Sequence, residues 1–168
     1  MEYSKLVSLI REELDRAAQA ASSAIPDNIP LSLAKKLAAA VEDEAERRGV
    51  RAVIAVTDRG AHPILVHAMD DAYIASYDIA VQKAYTVVAL KMSSKDLKPL
   101  AQPGAPLYGI QHTNDGRIVI FGGGEPLCGS DGRIIGGLGV SGGSEEQDTA
   151  LAAFGKAVFA QLIGQVTP

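Results

Sequence analysis

Asn114-Asp115-Gly116-Arg117-Ile118-Val119-Ile120-Phe121-Gly122-Gly123-Gly124-Glu125-Pro126-Leu127-Cys128-Gly129-Ser130-Asp131-Gly132-Arg133-Ile134-Ile135 is the stretch that decides the fold. Twice it sets Asn or Asp before Gly, residues that accept positive φ in tight turns, and follows them with aliphatic residues. The same chemistry stands upstream, where Asp58-Arg59-Gly60-Ala61-His62-Pro63 separates the aliphatic runs 51–57 and 64–69. Three such turns predict three hairpins, with residues 117–121 and 133–140 among the strands. Tight turns join antiparallel strands, so an antiparallel sheet of about five strands is expected rather than a parallel one.

Helical periodicity surrounds these runs. Residues 3–24 place Leu6, Val7, Ile10, Leu14, Ala17, Ala18 and Ala21 on one stripe, and Pro26-Asp27-Asn28-Ile29-Pro30 ends it. A second helix is expected from Ser32, read as its N-cap, to Arg48, with Gly49 as its stop. Residues 76–91 and 94–101 predict two more helices. A last one, from Glu145 to about Leu162, opens on a capping box made by Ser144 and Gln147. The expectation is an α+β, sandwich-like domain over residues 31–168, its sheet flanked by helices. Residues 1–30 form an N-terminal helical extension suited to packing on a partner subunit.

Composition narrows the function. The chain has 168 residues, 47% hydrophobic and 21% charged, with a net charge of −4. That balance suits one globular domain and lacks the basic face that tracks nucleic-acid phosphates. A single cysteine, Cys128, excludes an internal disulfide and a cysteine-based zinc cage. The early acidic residues Glu2, Glu12, Glu13 and Asp15 do not fit a signal peptide, and no apolar run reaches membrane-span length. A cytoplasmic location is expected, with no membrane or nucleic-acid partner.

Several constellations carry possible chemistry. Successive amides of Gly122, Gly123 and Gly124 can turn toward an oxyanion, although the run lacks the Lys-Ser/Thr ending of a P-loop. Its structural alternative is a bulged strand at a close crossing. Val140-Ser141-Gly142-Gly143-Ser144 leads from strand to helix, but Glu145, Glu146 and Asp148 already complement that helix end. Among His62, His67 and His112 no metal-ligand spacing occurs, so no metal site is expected. His112, beside Gln111, has better prospects as an acid–base or ligand group. Lys83 shares a helix face with Ser76 and sits amid Val81, Ala84 and Val87. A desolvated amine there would bind a carboxylate, act as a base or form an imine, while a salt bridge to Asp70, Asp71 or Asp78 is the plainer reading. Glu125 follows the glycines directly. Asp58 and Asp78 complete the ligand-facing candidates, and Cys128 reads as a small core residue.

Taken together, Asp58-Arg59-Gly60, Met69-Asp70, Asp78-Ile79-Ala80 with Lys83-Ala84-Tyr85-Thr86, the glycine block, and Ile135-Gly136-Gly137-Leu138-Gly139-Val140-Ser141-Gly142-Gly143 followed by Glu146-Gln147-Asp148 resemble the GlcG/HbpS family. The likeness spans about residues 31–160, and the family takes in the PduO C-terminal domain and OrfY proteins. It implies an antiparallel-sheet domain, usually homo-oligomeric, with some relatives binding haem or linked to corrinoid metabolism. Haem ligation in relatives involves a histidine near the start of the domain, where this chain has Ser32-Leu33-Ala34-Lys35-Lys36-Leu37. Relatives often carry Arg before Met-Asp, where this chain has Ala68 after His67. His67 and His112 are thus the local candidates for an axial ligand.

Two functions follow as expectations, with a third reading beside them. One is a small-molecule-binding auxiliary protein of a catabolic or cofactor pathway, with haem or a corrinoid as the candidate cofactor. The other is a metal-independent enzyme on a small polar catabolite, in which His112, Glu125 or Lys83 moves protons and Gly122–Gly124 amides hold an oxyanion. A structural subunit with a glycine-lined contact is the third.

Overall fold

The computed structural model describes residue 5, residues 7–14 and residues 26–164. Residues 7–14 are helical, and Val7, Leu9, Ile10 and Leu14 are exposed. Leu6 and Ala17, Ala18 and Ala21 of the expected stripe lie outside the described residues.

Among the described residues, four strands build one antiparallel sheet: β1 (Val53–Asp58), β2 (Pro63–Ala68), β3 (Gly124–Cys128) and β4 (Ile134–Ser141). Their spatial order is β2-β1-β4-β3, so β1 and β4 lie at the centre. Helices α1 (Leu31–Arg47) and α4 (Glu145–Gly164) cover one face, while α2 (Ile74–Ala89) covers the other and leads into the short α3 (Ser94–Leu100). Because both faces are covered, β1 is buried almost throughout. Ile54, Val56, Leu138 and Val140 join Leu37, Val41, Leu151 and Phe159 in the main core, and Val53 and Ala55 meet Ala80 and Ala84 of α2.

Glycines set the height of α2 above the sheet. A Cβ at Gly139 would lie 2.0 Å from the Ala80 carbonyl oxygen, and one at Gly137 would lie 2.4 Å from that of Ala84. Small residues meet on both sides of this crossing, so backbone rests nearly on backbone. On the alternate positions of β4, Leu138 and Val140 fill the opposite layer, as the twofold repeat of a strand requires.

The β1–β2 and β3–β4 hairpins form where the Asp-Gly turns predict them. The third does not, and the sheet has four strands instead of about five. Asn114, Asp115 and Gly116 take φ of 53°, 57° and 74°, which coil the chain into a short 3-10 turn. The expected strand 117–121 crosses α2 instead: Ile118 and Val119 are buried, and the Val119 amide donates to Thr86 Oγ1 at 2.9 Å. A burial-driven aliphatic run reads as a strand whether or not a neighbour strand exists to pair it.

Most helix ends agree with the sequence. Gly49 is left-handed at φ 69° just beyond α1. The Ser144 amide donates to Gln147 Oε1 and the Gln147 amide to Ser144 Oγ, closing the capping box of α4. Ser32 is not a cap: α1 begins one residue earlier, after an extended Pro30 with no side-chain cap. Ile29, placed by the sequence in the N-terminal extension, is buried, and its amide donates to the Ile135 carbonyl.

These contacts separate two glycines. Gly139→Ala should cost about 3 kcal/mol or abolish folding, since neither backbone can retreat. Gly49→Ala meets open space and should cost only the left-handed penalty, about 1 kcal/mol. Urea unfolding of both variants checks this, and equal costs would contradict the close seat of α2.

Candidate functional site

The first turns of α2 and α4 and the end of β4 converge on a cleft of about 300 Å³, lined by Tyr73, Ser76, Ile79, Phe121, Ser141 and Asp148, with Gly143 and Glu145 at its side. Lys83 lies beneath it, fully buried. Its ammonium donates to Asp148 Oδ2 and to the Val140 carbonyl, both at 2.8 Å. The Phe121 ring lies 5.0 Å from the same nitrogen, within range of a cation–π contact. Gly123 permits this crowding, because a Cβ there would stand 2.6 Å from Lys83 Nζ.

The electrostatics follow from burial. Removal from water pushes the Lys83 pKa below the ordinary lysine value, and the Asp148 and Glu145 carboxylates oppose that shift. Asp148 is satisfied from two directions, since its other oxygen accepts the Gly143 amide at 2.9 Å. Beside it, Ser141 Oγ and Ser76 Oγ are hydrogen-bonded at 3.2 Å. Two hydroxyls, a carboxylate held by lysine and an aromatic ring thus share one opening, which suits a ligand with hydrogen-bonding groups and an apolar body.

Ser76 and Lys83 share a face of α2, as their spacing suggests, and the fold adds Gly123 to them, but the partner of the lysine differs from the one expected. The lysine pairs with Asp148, 65 residues away, and not with Asp70, Asp71 or Asp78. Asp78 is exposed on α2. The glycine amides are largely engaged within the chain: Gly122 donates to Glu145 Oε1 and Gly124 to Ser94 Oγ, both at 2.9 Å. A carboxylate of the protein already takes the place of an oxyanion at Gly122. That bond comes first in lowering the Glu145 pKa, ahead of the hydrogen bond from Lys98 and against burial.

Other candidates lie elsewhere. Glu125 is buried and paired with Lys156 of α4 at 2.8 Å, on the sheet face away from Lys83. Its strand neighbour Gly124 faces Val87 and the Lys83 carbonyl of α2. His112 is exposed in a 3-10 turn (Ile110–His112), its ring 3.5 Å from the side chain of adjacent Gln111. Gln111 Oε1 is buried and lacks a hydrogen-bond partner. Asp58 shapes the β1–β2 turn: burial alone would raise its pKa, but the amides of His62 and Gly60 outweigh that. His67 on β2 is half-buried, with Nδ1 2.8 Å from Glu42 Oε2. Among the described residues, no three His, Cys, Asp or Glu side chains gather as a metal-ligand group.

Phe121, Ser141 and Asp148 line the cleft without any local sequence signal that marks them as site residues. Asp148 reads in the sequence only as an acid that complements the start of α4, with nothing to tie it to Lys83.

Two measurements test these assignments. Lys83→Met and Asp148→Asn should each cost about 3–5 kcal/mol, because either leaves a buried charge unpaired, and the double variant should cost clearly less than their sum. Strict additivity in urea unfolding would contradict the pair. Glu145 has a depressed folded pKa, so its contribution is present above the unfolded value and lost as pH falls through the folded one. Glu145→Gln should therefore flatten the fall of stability with pH below the ordinary glutamate value of 4.5. A slope identical to wild type there would contradict the Gly122–Glu145 bond.

Residues 29–157 match the family model described as haem-degrading protein HbpS-like. The chain is 46% identical over 134 residues to an uncharacterized 15.0 kDa protein in the dhaT-dhaS intergenic region of Citrobacter freundii, covering 80% of this chain and 94% of that one. The crystal structure of Klebsiella pneumoniae ORFY is similar at a TM-score of 0.76 and 42% identity, covering 79% of this chain and 90% of the other. A crystal structure of a PduOC–haem complex is similar at a TM-score of 0.74 and 37% identity, with 77% and 94% covered. With the antiparallel sheet between its helices and this extent of match, the chain belongs to the HbpS-like family, the GlcG/HbpS group that its motifs resemble.

Proposed function

We propose that this protein is a small-molecule-binding auxiliary protein of a catabolic or cofactor pathway, that a small polar ligand enters the cleft above Lys83 and Asp148, and that haem has a separate candidate position at His67. The observation that carries this reading is the buried ion pair beneath an open, partly aromatic cleft. A buried pair is a weak source of stability, because desolvation consumes much of its attraction. Placed under Ser76, Ser141 and Phe121, it instead fixes the orientation of a carboxylate that a ligand can reach. The acid–base enzyme reading lacks such support, since His112, Glu125 and Lys83 do not form one group.

A tetrapyrrole is the ligand class to test first, given the haem complex of the similar PduOC chain. The feature of this chain that favours iron ligation is His67. The Glu42 carboxylate holds its Nδ1, leaving Nε2 as the coordinating nitrogen, the arrangement by which second-shell carboxylates orient metal-bound imidazoles. His112 has no comparable support. His67 faces α1, so haem held there would lie apart from the cleft within one protomer. Exposed Tyr73, Ile74 and Tyr77 along the start of α2 suit a homo-oligomeric contact.

Haem and cobinamide titrations, followed by absorbance with native mass spectrometry of the same samples, test these points together. The expected result is one haem per chain in an oligomer. Binding should be lost in His67→Ala and kept in His112→Ala. Loss in Phe121→Ala instead would move the tetrapyrrole to the cleft. Without stoichiometric binding of either compound, the tetrapyrrole version fails and smaller ligands remain for the cleft.

A further inference from the structure

We infer that the chain carries a further binding site, for an organic dianion, at the end of the sheet opposite the cleft. A cavity of about 490 Å³ opens there, lined by Arg59, Lys91 and Arg133, by Asp27, and by Val88 and Ile135. The three cations come from three places: the β1–β2 turn, the segment after α2, and the β3–β4 turn. Their convergence stands out in a chain whose net charge is −4.

The site already holds one anionic group of its own. Asp27 Oδ1 lies 3.2 Å from one terminal nitrogen of Arg133 and 3.5 Å from one of Arg59. A single carboxylate oxygen thus stands between guanidinium groups of two separate hairpins. Its side chain is 71% exposed, so it is poorly shielded from competitors, and such exposed pairs are worth little. Asp131 binds the Nε edge of Arg133 and steadies its guanidinium, leaving a terminal nitrogen for a further acceptor. Lys91 is exposed, with a left-handed backbone at φ 55°, and makes no ion pair among the described residues.

Charge decides the ligand class. Three cations face two carboxylates, and Asp27 is the one that can move aside. The α2 C-terminus lies close by, but its half-charge is small beside full cations. A dianion that displaces Asp27 gains two guanidinium partners and the Lys91 ammonium, with charge-assisted hydrogen bonds stronger than neutral ones. The Val88 and Ile135 walls suit an apolar body attached to that group. Phosphate esters and dicarboxylates share this chemistry.

The site does not depend on the cleft and stands or falls separately. Calorimetric titration of the whole chain with inorganic phosphate and, in a separate series, with succinate tests it and tells phosphate from carboxylate preference. At least one anion should saturate at one per chain and weaken as salt is raised. Asp27→Asn removes the internal competitor and should tighten binding by about threefold to tenfold. Arg133→Gln and Lys91→Gln should each weaken it by about tenfold. No saturable binding by either anion, or an Asp27→Asn affinity that is unchanged or weaker, would overturn the proposal.

Discussion

The Lys83 ammonium has no water around it, so the chain must bring it a counter-charge and further acceptors. Asp148 of α4, the Val140 carbonyl of β4 and the ring of Phe121 meet that demand from three directions. Each tie crosses between elements far apart in sequence. The position of α4 against β4, the path of the chain through Phe121, and the bare backbone at Gly123 all follow from satisfying one charge. Moving any of them would strand that charge at a cost of several kcal/mol. The same demand places a carboxylate at the bottom of a cleft.

The seat of α2 works with that pair. Helix and sheet approach closely because Gly137 and Gly139 present no side chains to Ala80 and Ala84. With larger residues there, Lys83 would be lifted from the β4 end. Packing and polarity are therefore coupled along one helix: its alanines set the distance, its lysine sets the orientation, and Ser76 reaches Ser141 at the cleft.

At the other end of the same sheet the arrangement is of a different kind. The cations around Asp27 are exposed, their partners exchangeable and their contribution to stability small. A buried pair that holds its geometry and a surface cluster that can exchange partners are suited to different tasks. The fold places one at each end of β4, separated by the sheet core.

Much of the fold is legible in the sequence. Asp58-Arg59-Gly60 and Ser130-Asp131-Gly132 specify hairpins through local backbone chemistry, and Ser144 with Gln147 specifies a helix start. Ser76 and Lys83, seven residues apart, had to share a face. These are rules of near neighbours. The run 117–121 misled because buried aliphatic character alone cannot say whether a strand lies alongside to pair it. Asp148 was hidden for a related reason: its carboxylate resembles any helix-terminal acid until tertiary packing carries it to a lysine 65 residues away. The separation of Glu125 from Lys83 was equally invisible, because it depends on which face of the sheet each helix covers. By itself the sequence determined two hairpin turns, the capping box of α4, the helix faces and the family of this protein. Tertiary structure alone decided which charges meet, because desolvation and pairing act through space and not along the chain.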